Sequence, residues 1–563
     1  MSSAEPSRRL ALALLAAGTL AAWGGTLGLR TWARDDRVLI LENPLLRAGA
    51  AAPLLLSGYH QAVMGEDTPI HQWRPMLSLS FLAQTATTGF AQLPLRAVNL
   101  LLHFAVVLLL HEALRRRLSG RAALAGALLW SALPVHAEVT AYLTSRSELL
   151  GAASVLGAWL LLGAPGRPDG RRLAAGAGVF LLGCLSKEHA LLFPLFLASA
   201  DWTFAGARPW DAGRRRVYAA LAGCAALALA GRALVLPALA AGGVPYFPPE
   251  TPWLVRLLTL SKFWVAHYGR PLLTGTGACL EYGRPLIPDS GPGDLAAWAC
   301  LLGLAAFGAA AARALARRRE WGFWALGPAL FLLPTSHLLM DLDTIGAQRF
   351  LYLPSLGLAW AAAAACARFG RPAFAAVGVA VLLATGGARA QTRVWSSEES
   401  LHRAALACNP VSPKSRSALG VTLLETGRLE QGRALLEAAL AADPRHYPAA
   451  YNLALADYRA GDLRASAARL ARARALRPGA PDGLALEGLL AERAGRWPDA
   501  LAAYAAAAEK RPYDAAARWN LARALAKTGR PDLAAAQVDA FLRLAPGDPD
   551  APEARRWRER LAR

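Results

Sequence analysis

Two adjacent carboxylates, Asp35 and Asp36, sit in "RDDRVLILENPLLR" directly after an apolar run, and four further polar clusters interrupt equally apolar surroundings. These are "QWRPMLSLSF" with Arg74, "PVHAEVTAYLTSRSELL" with His136, Glu138, Arg146 and Glu148, "LSKEHALLFP" with Lys187, Glu188 and His189, and "LLMDLDTIGAQRFLYLPSLG" with Arg349. A charged side chain at the bilayer centre costs roughly 3 kcal/mol or more, so such residues belong at membrane ends, in cavities or at functional sites. Their types divide the chemistry. A carboxylate held beside a hydroxyl takes its proton, Arg offers a planar fork matching phosphate oxygens, and Lys supplies a compact charge. Blander readings compete: the Asp pair ahead of "RVLI" can cap a helix, and an Arg at a helix end can snorkel to lipid headgroups. His136 and Glu138 can likewise form a structural polar network.

The elements that must carry these residues are apolar. Of 563 residues, 55% are hydrophobic and only 18% are charged, too few charges for a soluble chain of this length. About eleven apolar segments of roughly spanning length can be read, at 10–29, 97–113, 121–140, 149–164, 172–185, 190–206, 216–236, 294–316, 321–338, 350–367 and 372–389. The first follows Arg8 and Arg9 but lacks a small-x-small cleavage site before Arg30, so it reads as an uncleaved helix. The net charge of +21 comes mostly from Arg clusters between apolar runs, which favours the positive-inside rule over nucleic-acid binding. With a cytoplasmic N-terminus, Arg115–Arg117, Arg167 with Arg171 and Arg172, Arg208 with Arg214–Arg216, Arg317–Arg319, and Arg368 with Arg371 all fall on the cytoplasmic side. That holds if 253–275, with Arg256, Lys262, His267 and Arg270, lies in the interface. All five polar clusters then share the extracytoplasmic face, which points to one site.

Between the third and fourth segments, Pro134 should bend the chain into a tight external hairpin. Ser145 is expected to N-cap the next helix in a capping box with Glu148. His136 and Glu138 are too close to share a helical face, and Glu188 and His189 are placed to orient Lys187. His136, Glu138 and His189 match no standard metal spacing. The six cysteines show no CxxC pair and read as small core residues.

After residue 390 the long apolar runs stop and a repeat begins. Pro410, Pro444, Pro478, Pro512 and Pro546 recur at a constant period, as do Gly427, Gly461, Gly495 and Gly529. Small residues recur in the same frame at Gly420, Ala454, Gly488 and Ala522, and at Gly432, Ser466, Ala500 and Ala534. Small residues let paired helices pack closely, Gly ends the first helix, and Pro marks the turn to the next unit. This is the tetratricopeptide pattern. The expected organisation is a membrane domain over 1–389, a linker helix over 390–411, four repeats over 412–547 and a capping helix over 548–563. Such solenoids offer a groove for peptides or protein partners.

In their order, "DD", "WRPM", "HAEV…SRSELL", "SKEHALLFP" and "QRFLYLPSLG" followed by these repeats resemble the transmembrane and tetratricopeptide-repeat (TMTC-type) O-mannosyltransferases and their bacterial relatives. The family pattern has Glu-Arg where this chain has Gln348-Arg349, so a carboxylate is missing there. The resemblance implies an all-α C-type glycosyltransferase fold, a polytopic helical bundle followed by an α-solenoid. It implies an inverting enzyme that moves a sugar, mannose in the family, from a polyprenyl phosphate to an extracytoplasmic acceptor. Asp35 becomes the expected base with Asp36 as its partner. Arg74, Arg146, Lys187 and Arg349 become donor-phosphate ligands, and His136, Glu138, Glu148, Glu188 and His189 supporting groups. The implied partners are the lipid-linked donor, an acceptor protein or peptide on the repeats, and the membrane. No resident metal is assigned, although the Asp pair leaves a divalent cation open. Two other functions fit the sequence: a non-catalytic scaffold recruiting partners through its repeats, and a glycosyltransferase acting on surface polysaccharide. The Ala, Arg and Gly bias suggests a bacterial inner membrane with periplasmic repeats.

Overall fold

The computed structural model describes residues 5–58, 60, 72–163, 168–236, 245–283, 286–339 and 341–561, and among them every regular element is helical. Arg167 of the expected cytoplasmic clusters lies outside these residues. The chain forms two compact units. One comprises Met1–Ala33, Ala91–Pro237 and Gly243–Ser400; the other comprises Arg34–Phe90, Ala238–Gly242 and Leu401–Arg563. The segment carrying Asp35 and Asp36 therefore folds with the repeats.

Among the described residues of the first unit, five helices are long and apolar enough to cross a membrane: Arg8–Gly28, Gln92–Arg115, Arg215–Val235, Leu295–Ala316 and Arg371–Val394. The pair Gly120–Ser131 and Pro134–Ala141, bent by 55°, makes a sixth if it forms one span. The other five apolar windows fold as shorter or broken pieces. Arg146–Leu162, Gly170–Cys184 and Leu356–Phe369 are single helices, whereas 190–206 and 321–338 are interrupted by 3₁₀ and π turns, with prolines at 328 and 334. Arg146–Leu162 packs along both Gly170–Cys184 and Gln92–Arg115. The helices Trp253–Phe263 and Arg270–Thr274 are joined by a π turn, Trp264–Gly269; Arg256 of the first pairs with Asp341 at 2.9 Å and Lys262 with Asp294 at 2.8 Å. Asp294 also caps the helix Leu295–Ala316. The Lys262 bond and the cap together lower its carboxyl to about 2.

The second unit contains four helix pairs: Pro413–Glu425 with Leu429–Ala442, Tyr447–Arg459 with Leu463–Leu476, Pro481–Arg493 with Trp497–Lys510, and Ala515–Lys527 with Pro531–Leu544. The periodic Gly427, Gly461, Gly495 and Gly529 all take positive φ, between 73° and 84°, so each closes a first helix in a conformation that a side chain would strain. The last helix, Ala551–Leu561, buries Ala551 and Ala554 against Trp519 and Phe541 and thereby caps the solenoid.

Cys279 and Cys408 are disulfide-bonded, which corrects their reading as plain core residues; Cys184, Cys224, Cys300 and Cys366 are free.

Candidate active site

The chain bends at Pro134, by 55° between Gly120–Ser131 and Pro134–Ala141. A 3₁₀ turn, Pro134–His136, leads into the short helix Ala137–Ala141, a second 3₁₀ turn, Leu143–Ser145, and then Arg146–Leu162. Every residue from Ser131 to Leu149 is buried, charged ones included. Burying so many polar groups is costly unless each meets a partner, and the partners come from three other elements.

Glu138 accepts from the guanidinium of Arg349 and, at 3.1 Å, from the Arg349 backbone N–H. Burial disfavours the charge on Arg349, but the Glu138 carboxylate outweighs it and holds the guanidinium firmly protonated. One turn into the following helix, Glu148 takes Lys187 Nζ at 2.7 Å on one oxygen and approaches His189 Nδ1 at 3.4 Å with the other. This corrects the capping box. The Ser145 side chain makes no cap, its Oγ has no hydrogen-bond partner among the described residues, and Glu148 pairs with Lys187 at the start of the Glu188–Leu192 turn. The close approach depends on Gly151, where a Cβ would lie 2.8 Å from His189 Nε2 and 3.2 Å from Lys187 Cβ. Glu188 is half-buried in the same turn.

Arg146 is fully buried, donating to Asn99 Oδ1 at 2.8 Å and to the Leu95 carbonyl at 3.0 Å. Asn99 in turn donates to the Leu143 carbonyl at 3.2 Å. His136 is also fully buried; its Nε2 meets Ser355 Oγ at 3.1 Å, and its ring packs against Trp130 at 4.6 Å and Tyr352 at 4.8 Å between centroids. These contacts tie the Pro134 region to the segment at Tyr352 and Ser355. His136, Glu138 and His189 are thus held by different partners, and no group of three metal-ligating side chains occurs among the described residues.

Sequence reasoning missed Arg96, Asn99 and His103. Arg96 donates to the carbonyls of Ala141 at 2.7 Å and Leu29 at 3.1 Å, and to that of Thr31. His103 Nδ1 meets the Tyr352 hydroxyl at 2.7 Å. The signal was available: three polar residues at i, i+3 and i+7 inside an apolar helix share one face. Gln348 was noticed only as a missing carboxylate. It is buried and its amide donates to the Cys279 carbonyl at 3.2 Å, a bond that a carboxylate cannot make. Beside it, Tyr282 accepts from the Cys279 N–H at 2.9 Å, and burial raises its phenol to about 12.

Asp35, Asp36 and Arg74 belong to the second unit. Asp36 is fully buried and Asp35 half-buried. Asp36 precedes a π turn, Arg37–Leu41, without capping it by its side chain. Arg74 is half-buried immediately before the helix Pro75–Thr88.

A tetratricopeptide-repeat family model matches residues 417–481 and 485–549. Human protein O-mannosyl-transferase TMTC1 is 30% identical over 166 residues, 28% of this chain and 19% of that protein. The Drosophila melanogaster protein O-mannosyl-transferase Tmtc1 is 25% identical over 528 residues, 74% of this chain and 60% of that protein. The chain thus spans less than two thirds of these relatives' own length. Among solved structures, the crystal structure of MamA protein aligns over 26% of this chain and 81% of its own, with 21% identity and a TM-score of 0.23. In the order of its membrane-half motifs and in its repeats, the chain is similar to the TMTC-type membrane and tetratricopeptide-repeat proteins.

Proposed function

We propose that the protein is a multi-pass membrane glycosyltransferase that moves a sugar, mannose by similarity, from a polyprenyl-phosphate donor to a Ser or Thr hydroxyl of an acceptor protein. The observation that carries this reading is the pair of ion-paired cations, part-buried Arg349 on Glu138 and buried Lys187 on Glu148, whose carboxylates sit in one buried stretch between apolar helices. A scaffold gains nothing from burying them, since apolar residues of similar volume would stabilise the fold as well or better.

In the proposed reaction the acceptor oxygen attacks the anomeric carbon while the bond from that carbon to the donor phosphate breaks, its electron pair leaving with the phosphate. Asp35 takes the hydroxyl proton, and the neighbouring carboxylate of Asp36 orients it. Arg349 and Lys187, with Arg74 and Arg146, stabilise the charge gathering on the departing phosphate. Their carboxylate partners hold the cations in place, so little reorganisation is needed as the bond breaks. The disulfide-bonded Cys279 and Cys408 suit an oxidising, extracytoplasmic setting, which for a bacterial inner membrane is the periplasm.

The test is transfer of radiolabelled mannose from polyprenyl-phosphate-mannose to a periplasmic protein extract by the full chain in lipid nanodiscs. Wild type should label protein, and Asp35→Asn and Asp36→Asn should lower labelling by a hundredfold or more with the fold intact. Label confined to polysaccharide would move the acceptor class. No label with any sugar donor would refute the transferase and favour a scaffold.

A further inference from the structure

The first helices of the four repeats end at Glu425, Arg459, Arg493 and Lys527, the same register in each unit. The first helix of the second repeat touches those of the first and third. Arg523 on the fourth pairs with Glu492 on the third at 2.5 Å, which ties the fourth to the other three. At their ends the register carries one carboxylate followed by three exposed cations.

Glu425 is occupied. Arg37, one residue after Asp36, reaches it at 3.5 Å while holding Glu42 at 2.8 Å. The three cations are differently placed. Arg493 donates to the Tyr458 hydroxyl at 3.3 Å, Lys527 lies 5.7 Å from the Trp497 ring centre, and Arg459 faces solvent. None of the three pairs with a carboxylate among the described residues, whereas Arg433, Arg511 and Arg523 in the same solenoid do. A helix C-terminus favours a cation, which explains why Arg and Lys are tolerated here but leaves their outward charge unmatched.

Contacting helices lie about 8–10 Å apart. A polyproline II strand repeats every three residues and advances about 9 Å per repeat, keeping every third side chain on one side. The row therefore matches an extended segment with an acidic residue at every third position. We propose that Arg459, Arg493 and Lys527 bind such an acidic segment of the acceptor polypeptide, and that its hydroxyl is delivered at the end of the row where Arg37 ties the Asp35–Asp36 turn to Glu425. The delivery half rests on the transferase reading; the binding half does not.

The experiment uses the full chain in phosphatidylcholine nanodiscs and a fluorescein-labelled peptide with Asp at every third residue and one Thr beyond them. It is compared with an Asn-for-Asp peptide and with a composition-matched peptide whose Asp residues are contiguous. Anisotropy should show at least tenfold tighter binding for the spaced peptide than for the Asn version, and a clear margin over the contiguous one. Combining Arg459→Gln, Arg493→Gln and Lys527→Gln should abolish that preference, and the charge-retaining pair Arg459→Lys, Arg493→Lys should keep it. Equal binding of the Asn peptide, no loss in the triple variant, or no preference over contiguous Asp would overturn the proposal. The same peptides are then offered with donor. Binding without labelling leaves the row standing and removes the transferase, whereas labelling indifferent to Asp spacing and to the triple variant does the reverse.

Discussion

Replacing Glu148 by Gln separates a buried ion pair from an incidental contact. Lys187 Nζ and Glu148 Oε1 are 2.7 Å apart, with side chains 10% and 4% exposed. At an effective dielectric of 20 the Coulomb attraction at that separation is roughly 6 kcal/mol. Desolvation of both ions offsets most of it, so the intact pair adds little net stability. Removing one partner is a different matter, because the other charge stays buried without compensation, at a cost of about 3–5 kcal/mol. Gln keeps an oxygen for Lys187, which brings the expected loss down to about 2–3 kcal/mol. Lys187→Met alone strands the Glu148 charge and should cost a similar amount. The double variant removes both charges and should be about 2 kcal/mol more stable than the sum of the single effects predicts. The assay is denaturant unfolding in mixed micelles, followed by tryptophan fluorescence. A loss under about 0.5 kcal/mol for Glu148→Gln, or strict additivity in the double variant, would show that the site does not depend on this pair.

Gly151→Ala should destabilise the protein by about 1–3 kcal/mol, because its methyl would meet His189 Nε2 at 2.8 Å; the same unfolding assay reads it. Gln348→Glu should cost about 2 kcal/mol, since it sets a buried carboxylate against the Cys279 carbonyl that the amide now satisfies. His402 is pulled down to about 4, first by burial and then by Arg34, so its ring stays neutral in the fold down to that pH while an unfolded chain takes up a proton near 6.5. The folded pKa lies below the unfolded one, so this contribution is intact above pH 6.5 and is lost as pH falls towards 4. The shift corresponds to at most about 3 kcal/mol, and solvent near the partly exposed ring reduces it to about 2. Protease susceptibility of the repeats should rise across that window and flatten in His402→Gln. Finally, maleimide labelling of the denatured, unreduced protein should modify four thiols, Cys184, Cys224, Cys300 and Cys366, and all six after reduction.

Local rules determined much of this protein. A period carried by Gly427, Gly461, Gly495 and Gly529 requires four helix pairs, because a left-handed turn and small packing residues act within one unit and between neighbours. Apolar runs alone gave the helical membrane half, and Pro134 gave the bend after Gly120–Ser131. Polar residues stranded among those runs marked Asp36, His136, Glu138, Arg146, Glu148, Lys187 and His189, all now seen buried, because a bilayer makes every unpaired charge costly. Their partners were not legible. Glu148 lies one turn after Ser145, and the local rule reads a capping box; a turn 39 positions along the chain offers Lys187, and a charge-assisted bond from it displaces the weaker cap. Glu138 likewise meets Arg349 from far along the chain. Arg96 and Asn99 meet the carbonyls of Ala141 and Leu143, and His103 meets the Tyr352 hydroxyl, all far along the chain. Sequence thus determined the elements and which residues had to find partners, because those are local and compositional demands. Only the tertiary structure decided which partners met, since that depends on how separate helices pack and on distances that no spacing along the chain encodes.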